Sequence, residues 1–143
     1  MFDWFRKRGL QRSGTKDIPY FNLKGERMFA RLCDVYDGDS CTLVIRFGGK
    51  LYRVKCRLKG IDTAEIRSSN EDERIHAFKA RAFMEQYLDK VLWAEFSEND
   101  KYGRALVCLY ENKTSPRLNS LLVEEGLAYE YQGGGKKPFE EWS

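Results

Sequence analysis

Tyr52, Val54, Cys56 and Leu58 alternate with Arg53, Lys55, Arg57 and Lys59. Successive side chains of a strand point to opposite faces, so this stretch predicts a strand with one apolar and one basic face. Ahead of it, Cys41, Leu43, Ile45 and Phe47 alternate with Thr42, Val44 and Arg46, and Gly48-Gly49 lies between the two runs. Two glycines between two alternating runs predict a tight hairpin. An acidic cluster flanks each end: Asp37-Gly38-Asp39-Ser40 in front, Ile61-Asp62-Thr63-Ala64-Glu65 behind. A hairpin returns its ends to one place, so four carboxylates and Arg57 are expected to gather there. Carboxylates gathered this way repel one another unless a cation sits among them. Hard oxygen ligands select calcium or magnesium over zinc.

The rest of the chain fits around this hairpin. Arg27 to Tyr36 is rich in strand formers and stops at the Asp37-Gly38 turn signal. Asn70, with Glu73 three residues on, predicts a capped helix start. Ala80, Phe83, Met84, Tyr87 and Leu88 recur at three and four as its core stripe. Val91 to Phe96 and Arg104 to Tyr110 predict two further strands, joined by the turn at 99–103. Ser115-Pro116 predicts a second helix start with Pro116 in the first helical position. Leu118, Leu121 and Leu122 form its stripe and Gly126 its stop. Three strands, a helix, two strands and a helix describe an α+β, five-stranded OB-fold barrel with two main helices. Pro138 to Trp142 is expected to add a short helical turn, docked by Phe139 and Trp142.

At 143 residues the chain is expected to be one domain. Residues 1–20 read as a basic tail without periodicity, 21–132 as the barrel domain, and 133–143 as a glycine linker with the last turn. The net charge of +3 permits a nucleic-acid partner without demanding one. No apolar run approaches 18 residues, which argues against a membrane span. No leader pattern is evident, and Cys33, Cys41, Cys56 and Cys108 all fall in strand-like segments, so reduced thiols and an intracellular setting are expected. No Cys-x-x-Cys pair occurs and His76 is the only histidine. Zinc-finger spacing and a two-histidine ribonuclease mechanism are thereby excluded, and His76 is read as structural or exposed. Gly133–Gly135 precedes no phosphate-binding helix.

Five stretches occur in order: Asp37-Gly38-Asp39, Arg57-Leu58, Ile61-Asp62-Thr63-Ala64-Glu65, Asp100-Lys101-Tyr102-Gly103-Arg104 and Asn119 to Ala128. Together they resemble the staphylococcal nuclease (thermonuclease) family, over roughly residues 27 to 131. The resemblance implies a calcium-dependent phosphodiesterase acting on DNA and RNA. It would cut the P–O5′ bond and leave 3′-phosphate ends, using one calcium ion. It implies Asp39 and Asp62 as direct ligands, Thr63 through its backbone carbonyl, and Asp37 through water. Arg57 and Arg104 would clamp one phosphate, a role that suits bidentate, permanently charged guanidiniums. Glu65 would serve as general base. Lys101 and Tyr102 would touch a second phosphate, and Tyr131, with Tyr129 as second choice, would stack on the nucleotide. Where the family has proline, this chain has Ala64, which leaves the Glu65 loop less stiff. The substrate would be single-stranded or frayed nucleic acid, and the protein a monomer. The alternative is a catalytically silent OB-fold module that binds nucleic acid or protein.

Overall fold

The computed structural model describes residues 2–11 and 14–142. In chain order the elements are α1 (Phe2–Gln11), β1 (Arg27–Val35), β2 (Ser40–Phe47), β3 (Lys50–Leu58), β4 (Ile61–Thr63), α2 (Glu71–Glu85), β5 (Val91–Asn99), β6 (Ala105–Tyr110), α3 (Leu118–Glu124) and β7 (Ala128–Glu130). Two short 3-10 turns, Thr15–Asp17 and Phe139–Glu141, complete them. Five strands close a barrel in the order β1-β2-β3-β6-β5, with α2 between the third and fourth barrel strands in sequence. The expected OB-fold barrel is therefore present. Only β3 and β6 pair in parallel; the other barrel pairs are antiparallel.

Alternation fills the barrel. Cys41, Leu43 and Ile45 of β2 point inward and are buried, as are Leu32 of β1, Leu92 of β5 and Val107 and Leu109 of β6. Each such leucine, valine or isoleucine stabilises the fold by about 1.5–3 kcal/mol. The third strand departs from its sequence pattern. Cys56 and Leu58 are buried, but Leu51 is 61% and Tyr52 49% exposed. Ile45, opposite Tyr52, is buried and Phe47 packs against the core, so the departure is confined to the start of β3.

On α2, the Asn70 side chain accepts from the Glu73 N–H at 3.1 Å, as a cap requires. Ala77, Ala80 and Met84 are buried, with Phe83 and Tyr87 packed beside them. Leu88, expected in this stripe, lies beyond the helix end and is exposed. Pro116 is not the first residue of the second predicted helix. Arg117 pairs with Tyr110 across a β-bridge, which keeps the chain extended until α3 begins at Leu118. In α3, buried Asn119 donates to the carbonyls of Lys59 and Val107 and accepts from the Leu109 N–H. That knits the helix to the end of β3 and to β6.

Three features were not expected from sequence. The basic N-terminal segment, read as lacking regular structure, carries α1, none of whose residues is buried. Arg8 lies over the Trp4 ring, 4.9 Å from its centroid, an i,i+4 pair that supports an isolated helix. β4 and β7 form a second, two-stranded sheet. The glycines at 133–135 make a turn rather than a spacer: Tyr131 Oη donates to the Gly134 carbonyl, and the chain folds back over the barrel end.

Candidate active site

The fold brings the two acidic clusters together through strand register. Ser40 pairs with Arg57 across the β2–β3 hairpin, so Asp39 arrives beside Arg57. Gly60 then reverses the chain at φ 80°, a left-handed conformation that favours glycine. This turn folds β4 back alongside Arg57. Cys56 pairs with Ala105 in the parallel β3–β6 ladder, which delivers Arg104 to the same edge. Gly38 is required by close approach: a Cβ there would lie 2.6 Å from the Ala80 Cβ and 3.0 Å from Thr63 Cγ2. The acidic turn thus sits directly on α2 and β4.

Asp39, Asp62 and Thr63 are all buried. Both carboxylates reach the Thr63 N–H: Asp39 Oδ2 accepts it at 3.3 Å and Asp62 Oδ1 at 3.0 Å. Arg57 spans them, with Nη1 3.4 Å from Asp39 Oδ2 and Nη2 3.3 Å from Asp62 Oδ1. Its Nη2 also donates to the Ile61 carbonyl. Asp37 accepts from the Asp39 N–H at 3.1 Å and is half-buried at the rim. Arg104 is held by Asp100 Oδ2 at 2.8 Å and donates to Ser40 Oγ at 3.1 Å. Ser40 in turn donates to Asp39 Oδ1, so two hydrogen bonds and the Asp39–Arg57 ion pair link the two guanidiniums.

All of these groups except the buried Asp62 line one open groove of about 1140 Å³. Lys101, Tyr102 and Tyr131 line it too. Tyr102 is exposed at the tip of the β5–β6 turn, and Arg57 lies 5.8 Å from the Tyr131 ring centroid. Tyr129, the second choice for stacking, is not among the groove's lining residues. It sits opposite Asp62 in the β4–β7 pair and its hydroxyl donates to Asp62 Oδ2 at 3.0 Å. Glu65 is exposed, and its N–H is accepted by the Glu73 carboxylate at 3.3 Å. Glu73 also accepts from Ser68 Oγ, so its side chain ties down the loop instead of closing a capping box on Asn70. His76 stays out of the groove. It hydrogen-bonds the Gly126 carbonyl and contacts the rings of Phe139 and Trp142, which dock the last turn.

Burial, followed by the neighbouring Asp37, pushes the Asp39 carboxyl up to about 6, against the pull of Arg57. Burial and Asp39 raise Asp62 in the same way, opposed by Lys136 and Tyr129. Burial pulls the Arg57 guanidinium down, but Asp39 and Asp62 more than offset this and hold it firmly charged. Among the described residues, no group of three or more His, Cys, Asp or Glu side chains is arranged to hold a metal. Asp39 and Asp62, which both reach the Thr63 N–H, are oxygen donors of the kind a hard divalent cation takes. Burial is the largest cause of both shifts, and Asp39 adds to that of Asp62.

Three residues of this arrangement carried no role in the sequence reading, Ser40, Asp100 and Lys136, and a fourth, Glu73, was read only as a helix-cap partner. Asp100 had a local signal, since Asp at the start of a turn accepts from N–H groups ahead, here those of Tyr102 and Arg104. Lys136 had none.

Barrel and groove together define an OB-fold domain with paired acids and arginines at one barrel edge. The chain belongs to the staphylococcal nuclease homologue family, whose model matches residues 55–141. Nucleic acid is the partner class that membership implies. The match takes in Arg57, Asp62, Glu65 and Arg104; Asp37 and Asp39 lie ahead of it and are joined to the site by geometry. No curated protein matches the chain. No helix among the described residues is long and apolar enough to cross a membrane.

Proposed function

We propose that this protein is a calcium-dependent nuclease that hydrolyses DNA and RNA at the P–O5′ bond and leaves 3′-phosphate ends. The observation that carries the reading is the convergence of Asp39 and Asp62 on Arg57, whose guanidinium lies 3.4 and 3.3 Å from them, at the edge of a groove that Arg104 also lines. Asp39 and Asp62 would hold one calcium ion directly, with the Thr63 carbonyl, and Asp37 through water. When bound, the ion supplies charge that polarises a phosphoryl oxygen.

The chain's own groups do the rest. Arg57 and Arg104 donate to the phosphate and stabilise the negative charge that gathers on its oxygens in the transition state. Glu65, exposed and anchored at its N–H by Glu73, orients the attacking water and takes its proton. The new P–O bond forms as the bond to O5′ breaks. Lys101 and Tyr102 engage a second phosphate, and Tyr131 offers an aromatic face for a base. Backbone contacts with stacking favour single strands and frayed ends over stable duplex.

The test is a calcium titration of cleavage on single-stranded DNA and RNA, with a chelator arm. Cleavage that appears with calcium, stops with chelator and leaves 3′-phosphates is expected. Intact nucleic acid at high enzyme and calcium concentration overturns the reading and leaves a binding module.

A further inference from the structure

Lys136 sits inside the acid cluster. Its Nζ lies 3.3 Å from Asp62 Oδ1 and hydrogen-bonds Glu65 Oε1. These are one of the two buried carboxylates and the exposed acid beside them, groups to which the reading above gives metal and proton duties. Lys136 shares Asp62 Oδ1 with Arg57 Nη2, each at 3.3 Å, while Tyr129 holds Asp62 Oδ2, so the ammonium adds a second positive charge to an acid that Arg57 already pairs.

The lysine is delivered by a strap with its own anchors. Tyr131 Oη donates to the Gly134 carbonyl, and the Lys137 N–H donates to Tyr129 Oη at 2.9 Å. Trp142 Nε1 donates to the Lys137 carbonyl at 3.2 Å. The Trp142 ring packs on Tyr129 and His76, and Phe139 packs on His76 as well. None of these contacts uses the Lys136 side chain. The strap therefore stays docked whether or not the ammonium is in the cluster, and the side chain alone can swing.

Resting on the calcium reading, we propose that Lys136 is a tethered counter-ion of the site, which a divalent cation displaces and which thereby sets the site's affinity for metal. An ammonium on a flexible four-carbon stem is suited to this, because it satisfies the carboxylates as a point charge and leaves without dragging backbone. A tethered group competes at high effective concentration. Metal binds only the fraction of molecules whose lysine is out, so the apparent affinity is reduced by that fraction. The neighbouring Lys137 carries the same charge but contributes only its backbone to the contacts described for it.

The experiment is calcium titration calorimetry, without nucleic acid, on the full chain and on Lys136→Gln and Lys137→Gln. A second arm labels the wild-type chain with an acylating amine reagent, with and without calcium, and locates labelled lysines by mass spectrometry. Expected results are calcium binding about tenfold tighter in Lys136→Gln, little change in Lys137→Gln, and faster labelling of Lys136 when calcium is present. Equal tightening by both variants, no tightening by Lys136→Gln, or calcium-independent labelling overturns the proposal. Absence of calcium uptake by all three folded chains overturns the calcium reading itself, and the counter-ion with it. The two failures are therefore distinct.

Discussion

The groove has two halves built on different principles. In one, the buried Asp39, Asp62 and Thr63 and the half-buried Arg57 sit on or next to barrel and β4 strands, with each position fixed by ladder register. In the other, Glu65, Lys136, Lys101 and Tyr102 sit on turns and on the C-terminal strap. There the Glu65 and Lys136 side chains are 56% and 45% exposed. The difference separates tasks. On the proposed function, charge that must stay put to meet a phosphate is held by strands, which cannot shift by one residue without turning every side chain to the other face. On the same reading, the groups that must exchange partners, a proton acceptor and a displaceable cation, are held by segments that can give.

The largest expected effect breaks the strand-held half. In Arg57→Lys one ammonium replaces a fork that reaches Asp39, Asp62 and the Ile61 carbonyl together. Its loss should cut the cleavage rate on single-stranded DNA at saturating calcium by the 10²–10³ typical of a lost preorganised donor. The melting temperature should drop too, because two buried acids lose their shared partner. Arg104→Lys is the comparison: it bonds an acid on a turn and a serine hydroxyl, so rate should fall with the melting temperature nearly unchanged. An Arg57→Lys chain that loses less than tenfold in rate would erase the distinction between the halves.

The next effect concerns stability and pH. Unfolded, Asp39 releases its proton near 3.8; folded, near 6. Between these values the native state binds more protons, so without metal the fold loses stability as pH rises through the window. The loss is up to roughly 3 kcal/mol, from about two pKa units at 1.36 kcal/mol each. Asparagine at position 39 keeps the shape and removes the charge. In chelator at pH 8, Asp39→Asn should melt higher than wild type, by up to about 10 °C, and the gap should close towards pH 4. Melting curves across that range check it; a wild type no less stable at pH 7 than at pH 4.5 would mean the acid pair is already fully compensated.

How far the sequence foretold these halves follows from the same distinction. The strand-held groups were legible because alternation and turn chemistry are local: Gly48-Gly49 closes the hairpin, and register does the rest. Tyr129 was read as a stacking candidate because nothing local reveals its partner Asp62, sixty-seven residues away. β4 and β7 are three residues each, too short to show a period, and they pair only because α3 brings the chain back. Lys136 is 71 residues from Glu65 and follows a glycine run that reads equally well as a linker. Glu73 was legible as a cap residue, and its side chain turned instead to Glu65, a preference that tertiary placement decides.

That turn of Glu73 is the smallest effect and the finest probe of the loop-held half. Ala64 leaves the Glu65 loop without the stiffness of proline, and the Glu73 carboxylate supplies a tether at the Glu65 N–H in its place. One such hydrogen bond is worth about 0.5–1.5 kcal/mol, so Glu73→Ala should lower kcat about two- to tenfold with KM little changed. Glu73→Gln keeps an acceptor for that N–H and should recover most of the loss. The asparagine cap donates nothing to this readout, because it accepts from the Glu73 backbone and survives both substitutions. Equal kcat in the alanine and glutamine variants would show that Glu65 finds its working position without the tether.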